Sequence, residues 1–337
     1  MRIGNNPEKE YNKLEIESYH RVIIPVYLPN LTEDYFKDGL KILKLCFESL
    51  LHTIHSKTKI SIINNGCCNE ASEYLRRLFD SNKKIDQYLH SKVNLGKINA
   101  LYSAIKSNLE PIITISDADV LFLPEWQQEV EKILNDFPES GMVSPVPSSK
   151  GFASSYLNCT KYYALFKGKL NFSDVIDPEG MKKFQKSIGR EMYKDIHLEK
   201  YLTISNKKGK AVMGCGHFVA TFRAEVFNHA PKEICNMKIV GGSENKYIDI
   251  PNDKGGFLRL STLNNYAYHL GNVEEEWMAE EFNKVINSNQ SYSLLNNLPP
   301  VKPISKFGYL LGKLIHKLLF SRFRKYYFKF KGMKQPY

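Results

Sequence analysis

The sequence predicts an α/β fold: a single domain with a mostly parallel central sheet, followed by an amphipathic helical tail. Strand-like and helix-like segments alternate at short spacing through the first half of the 337-residue chain, which is typical of a parallel sheet with helices on its faces. One apolar run ends in two acidic residues, Asp117 and Asp119, where open α/β sheets hold ligands. We expect the domain over residues 1–298 and the tail over residues 299–337.

The individual elements follow from short apolar runs and from apolar residues at three-and-four spacing. The first strand, residues 22–27, contains Pro25, which indicates an irregular stretch with an open edge. The later predicted strands are residues 59–63, 112–115, 142–146 and 266–269. The predicted helices are residues 32–53, 70–79, 98–107 and 125–137.

Residues 148–210 are predicted to be less regular, and they are rich in aromatic side chains. The rings are Phe152, Tyr156, Tyr162, Tyr163, Phe166 and Phe172. Two interpretations are open: the rings pack within loops, or together they wall a ligand groove.

The formal charge of +11 is concentrated in the tail. Residues 301–337 hold ten of the 47 Lys and Arg residues and no acidic residue. The rest of the chain has 37 basic against 36 acidic residues, so we expect no nucleic-acid partner.

Apolar residues recur at helical spacing in this basic tail. They are Phe307, Leu310, Leu311, Leu314, Ile315 and Leu318. An apolar stripe beside basic residues is typical of a helix lying in a membrane interface, so we expect residues 306–330 to contact a membrane surface. The alternative is a helix packed back against the domain.

The cysteines and the hydropathy pattern indicate a cytoplasmic protein. The six cysteines form no CxxC pair and no zinc-like spacing with histidine. Residues 1–10 lack the apolar core of a secretory signal, and no segment reaches the roughly 18 apolar residues of a membrane span.

Asp117 and Asp119 are the first candidate site residues. Side chains two apart on a strand point to the same face, so both carboxylates are placed to hold a hard divalent cation. The alternative is a polar turn that merely ends a buried strand.

Several motifs occur in an order that resembles the family 2 glycosyltransferases of the GT-A (Rossmann-like) fold. They are residues 22–27, 46–51, Asn94-Leu95-Gly96-Lys97, Asp117-Ala118-Asp119 with 124–126, and 214–227. The resemblance runs from about residue 22 to 271 and implies a nucleotide-binding half over about 20–147 and an acceptor half over about 148–298. It also implies a bacterial surface-polysaccharide type of enzyme.

The resemblance implies a metal-dependent, inverting transfer from a nucleotide-diphosphate sugar to a glycan or lipid-linked glycan acceptor, at the inner face of the cell membrane. The implied ligands of a manganese or magnesium ion are Asp117, Asp119 and His269; a core or capping histidine is the alternative for His269. The implied donor contacts are Pro25, Val26, Tyr27, Asn65, Asn94, Gly96, Lys97, Asp117 and Ala118. Asn64 and Asn65 stand where the family often has an acidic residue, so the base of the nucleotide is left open.

The catalytic base implied by the family comes from a Glu-Asp pair ahead of the late histidine. In this chain Glu244 is followed by Asn245, so Glu244 is the first candidate and Asp249 the second. A surface position or a pairing with Arg259 is the alternative for either carboxylate.

Two other functions compete with a transferase. A sugar nucleotidyltransferase needs a Gly-rich, basic phosphate loop after the first strand, and residues 27–31 offer none. A non-catalytic membrane-bound scaffold with the same fold is the non-enzyme alternative.

Overall fold

The computed structural model describes residues 1, 3–9, 13–239, 242–289, 297–333 and 337. The strands are β1 (His20–Val26), β2 (Thr58–Asn65), β3 (Ile85–Ser91), β4 (Ile112–Ser116), β5 (Val120–Phe122), β6 (Ser140–Ser144), β7 (Lys169–Asp174), β8 (Lys200–Ser205), β9 (Lys210–Met213), β10 (Val219–Arg223), β11 (Leu258–Ser261) and β12 (Ala267–His269). The α-helices are α1 (Gly39–Thr53), α2 (Asn69–Ser81), α3 (Lys97–Ile105), α4 (Trp126–Asp136), α5 (Asn158–Phe166), α6 (Pro178–Ser187), α7 (Asp195–Glu199), α8 (Ile250–Lys254), α9 (Glu276–Ile286), α10 (Lys306–Lys317) and α11 (Arg324–Phe330).

Within the described residues, ten strands form a central sheet in the order β3-β2-β1-β4-β10-β6-β11-β9-β8-β7. The pairings from β3 to β4 are parallel, and β10, β9 and β7 run against the other seven strands. Strands β5 and β12 form a separate antiparallel pair. The predicted α/β fold with one large, mostly parallel sheet is confirmed.

Strand β1 lies inside the sheet, although Pro25 indicated an open edge. Its pairing with β2 extends to Val26, whereas its pairing with β4 ends at Ile23. Pro25 has no N–H group, and it is tolerated because it follows the last residue paired with β4. The expected open edge is therefore limited to this end of the strand.

Helix α1 begins at Gly39, seven positions after the predicted start. The side-chain oxygen of Asn30 accepts hydrogen bonds from the backbone N–H groups of Thr32 at 3.1 Å and Glu33 at 2.9 Å. Such local bonds favour a turn over a helix, so the helix starts only after this turn.

The region expected to be irregular, residues 148–210, instead contains α5, β7, α6, α7 and β8. Strand β3 was not predicted, because its outer position leaves most of its side chains half-buried and removes the continuous apolar run of a buried strand.

The aromatic rings of the same region pack against the tail. The ring centroid of Phe152 lies 5.3 Å from that of Phe328 and 5.5 Å from that of Tyr337. Phe172 also lies 5.3 Å from Phe328. Of the two interpretations, packing is therefore correct for Phe152 and Phe172, and the partners of these rings belong to the tail.

Helix α10 packs on α5 through small residues. A Cβ atom on Gly312 would lie 2.0 Å from the backbone oxygen of Asn158, so only glycine permits this approach. Ile315 is buried on the same side of α10.

The opposite side of α10 stays exposed. Phe307, Leu310 and Leu314 are 71%, 61% and 51% exposed. The predicted apolar stripe is therefore divided: one part joins the core, and only the rest faces solvent. No helix among the described residues combines the length and the apolar character needed to cross a membrane.

We expect Gly312→Ala to destabilise the fold by about 1–3 kcal/mol, because the added methyl group forces α10 away from α5. This loss exceeds the gain of up to about 1 kcal/mol in helix propensity. Denaturant unfolding measures the difference. Lys317→Ala, at an exposed position of the same helix, is the matched control and should stay within about 0.5 kcal/mol of wild type. An unchanged stability of Gly312→Ala would contradict the packing of α10 on α5.

Candidate active site

The candidate site is built around the loop that follows β4. The backbone N–H of Asp117 donates to the carbonyl oxygen of Phe218 at 2.7 Å, and the carbonyl oxygen of Asp119 accepts from Leu270 at 2.7 Å. Both acidic residues are therefore fixed between the start of β10 and the end of β12. Ala118 lies half-buried between them.

The structure brings together Asp117, Asp119 and His269, the three residues that the family resemblance implied as metal ligands. Each offers a ligand atom, and these atoms lie within 4.8 Å of one another. The Nε2 atom of His269 is 3.5 Å from Oδ2 of Asp119. The other carboxylate oxygen of Asp119 is buried and has no hydrogen-bond partner among the described residues.

The tautomer of His269 follows from its neighbours. The hydroxyl of Ser187 donates to the carbonyl oxygen of Phe184 at 2.8 Å, so it accepts from Nδ1 of His269 at 2.9 Å. In a neutral imidazole with this tautomer, Nε2 carries a lone pair that faces the carboxylate of Asp119, and a cation between these two acceptors would satisfy both.

Burial raises the pKa of Asp119 by disfavouring its charged form. A bound cation offsets this penalty. A divalent ion such as Mn²⁺ or Mg²⁺ fits this donor set, which is rich in oxygen. The set offers the unpartnered carboxylate oxygen of Asp119 and the ring nitrogen of His269.

Lys97 begins α3 and points into the same site. Its Nζ atom lies 2.5 Å from Oδ1 of Asp117 and 2.5 Å from Oε1 of Glu244. Burial alone would lower the pKa of Lys97, but the charges of the two carboxylates outweigh burial and raise it. Lys97 is thus a nearly buried, permanently charged ammonium group.

Gly96 and Lys97 are covered by a later segment of the chain. The backbone N–H of Lys97 donates to the carbonyl oxygen of Lys238 at 2.8 Å. Gly96 has a φ of +82°, and a Cβ atom there would lie 2.9 Å from the carbonyl oxygen of Met237, so glycine is required.

Asn65 and Asn94 shape the loop before α3. The amide of Asn65 donates to Oδ1 of Asn94 at 3.1 Å and accepts from the backbone N–H of Leu95 at 2.9 Å. Oδ1 of Asn94 also accepts from the N–H of Gly96 at 2.8 Å. Because Asn65 is only 2% exposed, its observed role is to hold this loop.

The end of β1 supplies the remaining predicted donor contacts. Val26 is buried, Pro25 is half-buried and Tyr27 is 45% exposed. The ring of Tyr27 stands edge-on to that of Phe36, with centroids 6.2 Å apart. Of these three side chains, Tyr27 is the most open to a ligand.

His217 joins the two candidate bases, and the sequence did not single it out. Its Nε2 atom lies 3.2 Å from Oε2 of Glu244, and its Nδ1 atom lies 3.2 Å from Oδ2 of Asp249. Asp249 is 2% exposed and pairs with Arg259 at 3.1 Å. The pairing with Arg259, left open by the sequence, is thus observed for Asp249, whereas the side chain of Glu244 is 21% exposed.

These contacts set the charges of Glu244 and His217. Burial would raise the pKa of Glu244, but the hydrogen bond from His217 and the charge of Lys97 lower it to about 2. Burial opposes the charged form of His217, yet its bonds to Asp249 and Glu244 raise its pKa to about 9. Both groups are therefore charged at neutral pH.

A family model described as Glycosyl transferase family 2 matches residues 22–229, which is more than half of the chain. No curated protein matches the sequence. The mannosyltransferase PcManGT of Pyrobaculum calidifontis, solved in complex with GDP-Man and Mn²⁺, is 15% identical with a TM-score of 0.44, over 88% of this chain and 69% of that one. TarS 1-349 of S. aureus, solved in complex with UDP-GlcNAc, is 11% identical with a TM-score of 0.42, over 79% of this chain and 64% of that one. At these TM-scores neither likeness bears on the site.

The ion pairs of His217 predict a pH-dependent stability. The pKa of His217 is raised from the unfolded value near 6.5 to about 9. The contribution of its ion pairs to the free energy of unfolding is therefore fully present below about pH 6.5 and is lost as the pH rises through about 9. Replacing His217 by Gln should cost on the order of 1–3 kcal/mol near pH 6, and the difference from wild type should shrink toward zero by about pH 10. Unfolding by denaturant across this range measures it.

His90→Gln serves as the control, since His90 is exposed. It should show no comparable trend between about pH 6.5 and 9. A stability difference for His217→Gln that does not change with pH would contradict the assigned charge.

Proposed function

Since the chain belongs to glycosyl transferase family 2, we propose that it transfers a sugar from a nucleotide-diphosphate sugar to a glycan or lipid-linked glycan acceptor, with a divalent metal ion in the site. The observation that supports this most strongly is the convergence of Asp117, Asp119 and His269 around a buried, unpartnered carboxylate oxygen at the end of β4. These three residues are the proposed metal ligands.

The donor is proposed to lie along the carboxyl ends of β1 and β4. When bound, the divalent ion supplies Lewis-acid stabilisation of the departing diphosphate. Lys97 adds a positive charge beside the same position. The exposed ring of Tyr27 at the end of β1 is placed to pack on the nucleotide.

Glu244 is proposed as the general base. Its carboxylate takes the proton of the acceptor hydroxyl while the oxygen bonds to the anomeric carbon and the bond from that carbon to the diphosphate breaks. Attack from the face opposite the diphosphate inverts the configuration. Asp249 is less suited to this role, because it is buried between His217 and Arg259.

The exposed side of the tail is proposed to bind the cytoplasmic face of an anionic membrane, where a lipid-linked acceptor in surface-polysaccharide synthesis would be found. Phe307, Leu310 and Leu314 form its apolar part on α10. The exposed basic residues around it are Lys306, Lys313, Lys317, Arg322, Arg324, Lys325 and Lys329. Each basic residue near an anionic leaflet contributes about 1 kcal/mol.

Asp119→Asn should abolish metal-dependent chemistry, because it removes the charge that faces His269. We expect the release of nucleoside diphosphate from UDP- and GDP-sugars in the presence of Mn²⁺ to fall at least about 100-fold. Asp34→Asn, at a fully exposed carboxylate, is the charge-matched control and should behave as wild type. Undiminished turnover by a folded Asp119→Asn protein would refute the metal role.

Glu244→Gln should lose transfer but keep donor binding, because the amide cannot take the proton of the acceptor hydroxyl.

Binding to vesicles tests the membrane proposal. Truncation is unsuitable, since it would uncover Phe152 and Phe172. Alanine at Phe307, Leu310 and Leu314 together should weaken co-sedimentation with vesicles containing phosphatidylglycerol at least about tenfold, because the apolar area available for burial is lost.

The control carries alanine at three exposed apolar residues outside the tail. They are Leu109, Ile176 and Val273, which are 55%, 58% and 51% exposed. Equal sedimentation of the two triple variants would argue against the tail as the binding surface.

A further inference from the structure

The ammonium group of Lys97 already binds one of the proposed metal ligands, Asp117. Its Nζ atom is 2.5 Å from Oδ1 of Asp117 and equally close to Oε1 of Glu244, and its side chain is only 12% exposed. A lysine ammonium is a compact charge with three hydrogen-bond donors. The positive charge held at this carboxylate repels a metal ion that would bind the same side chain.

We infer that Lys97 competes with the metal for Asp117, so that the metal and the diphosphate of the donor bind tightly only together. This inference rests on the proposed function, because it requires the metal site at Asp117, Asp119 and His269. The diphosphate supplies the anionic oxygens that Lys97 needs in order to leave Asp117 and Glu244.

The charges of the site support this coupling. Four carboxylates, those of Asp117, Asp119, Glu244 and Asp249, face three cations, Lys97, His217 and Arg259. A divalent ion alone would be repelled by the ammonium group of Lys97. A diphosphate alone would add negative charge to a site that is already negative. The two together leave the net charge unchanged.

The same exchange frees the proposed base. Glu244 holds Lys97 with one carboxylate oxygen and His217 with the other. When Lys97 turns to the diphosphate, one oxygen of Glu244 becomes available to an acceptor hydroxyl. Glu244 can therefore accept the proton of the acceptor hydroxyl only after the donor has bound.

Mn²⁺ titrations followed by electron paramagnetic resonance test the inference, with and without UDP or GDP. Wild type should bind Mn²⁺ at least about tenfold more tightly with the matching nucleoside diphosphate than without it. Lys97→Met should bind Mn²⁺ alone at least about tenfold more tightly than wild type does, with a smaller gain from the diphosphate. Lys106→Met, at the exposed end of α3, should match wild type, and Lys97→Arg should keep weak binding of Mn²⁺ alone.

The outcomes separate this inference from the proposed function. If wild type binds Mn²⁺ with a diphosphate but folded Lys97→Met binds Mn²⁺ alone no more tightly than wild type, the competition is overturned while the metal site stands. If neither protein binds Mn²⁺ even with a diphosphate, the metal site fails and the inference fails with it.

Wild type alone gives a second test should Lys97→Met not fold. By reciprocity, Mn²⁺ must strengthen the binding of UDP or GDP by the same factor as the diphosphate strengthens that of Mn²⁺. Calorimetry measures this factor. A diphosphate affinity that is the same with and without Mn²⁺ would overturn the inference.

Discussion

The site depends on keeping four carboxylates together beside a buried sheet. At an effective dielectric constant of about 20, two like charges about 4 Å apart repel each other by roughly 4 kcal/mol. Lys97 separates Asp117 from Glu244, and His217 separates Glu244 from Asp249. Alternation of anions and cations stabilises this row of side chains. At the end of the row Asp119 faces His269 at 3.5 Å, and this is where the metal ion is proposed.

Long-range contacts build this alternation. Asp117 follows β4, Lys97 begins α3, His217 precedes β10, and Glu244 precedes the π-helical turn Asn245–Asp249. The pairing of β4 with β10 brings Asp117 and His217 together, and the packing of α3 on β1, the strand next to β4, brings Lys97 beside them. The rings of the tail complete the core around Phe152. The fold therefore uses the C-terminal segment as structure, and only its outer side is left for binding.

The sequence predicted those features that depend on local patterns. Buried strands, amphipathic helices and the spacing of Asp117 and Asp119 can be read from neighbouring residues, and the structure places His269, Lys97 and Glu244 close to these acids. Features that depend on the identity of a distant partner were missed. A lone histidine such as His217 carries no spacing signal, and an apolar stripe in the tail does not reveal whether protein or lipid covers it.

The low pKa of Glu244 makes its present pairing unsuitable for catalysis. A carboxylate with a pKa of about 2 has little tendency to take a proton from a sugar hydroxyl, since efficient general bases have pKa values near the working pH. Burial raises this pKa whenever a cationic partner withdraws. His217 is also held by the buried Asp249. Lys97 is therefore the partner able to leave, because the proposed donor offers it an alternative anion. In the proposed mechanism, the electrostatic balance that stabilises these side chains therefore also keeps Glu244 inactive as a base until the donor arrives.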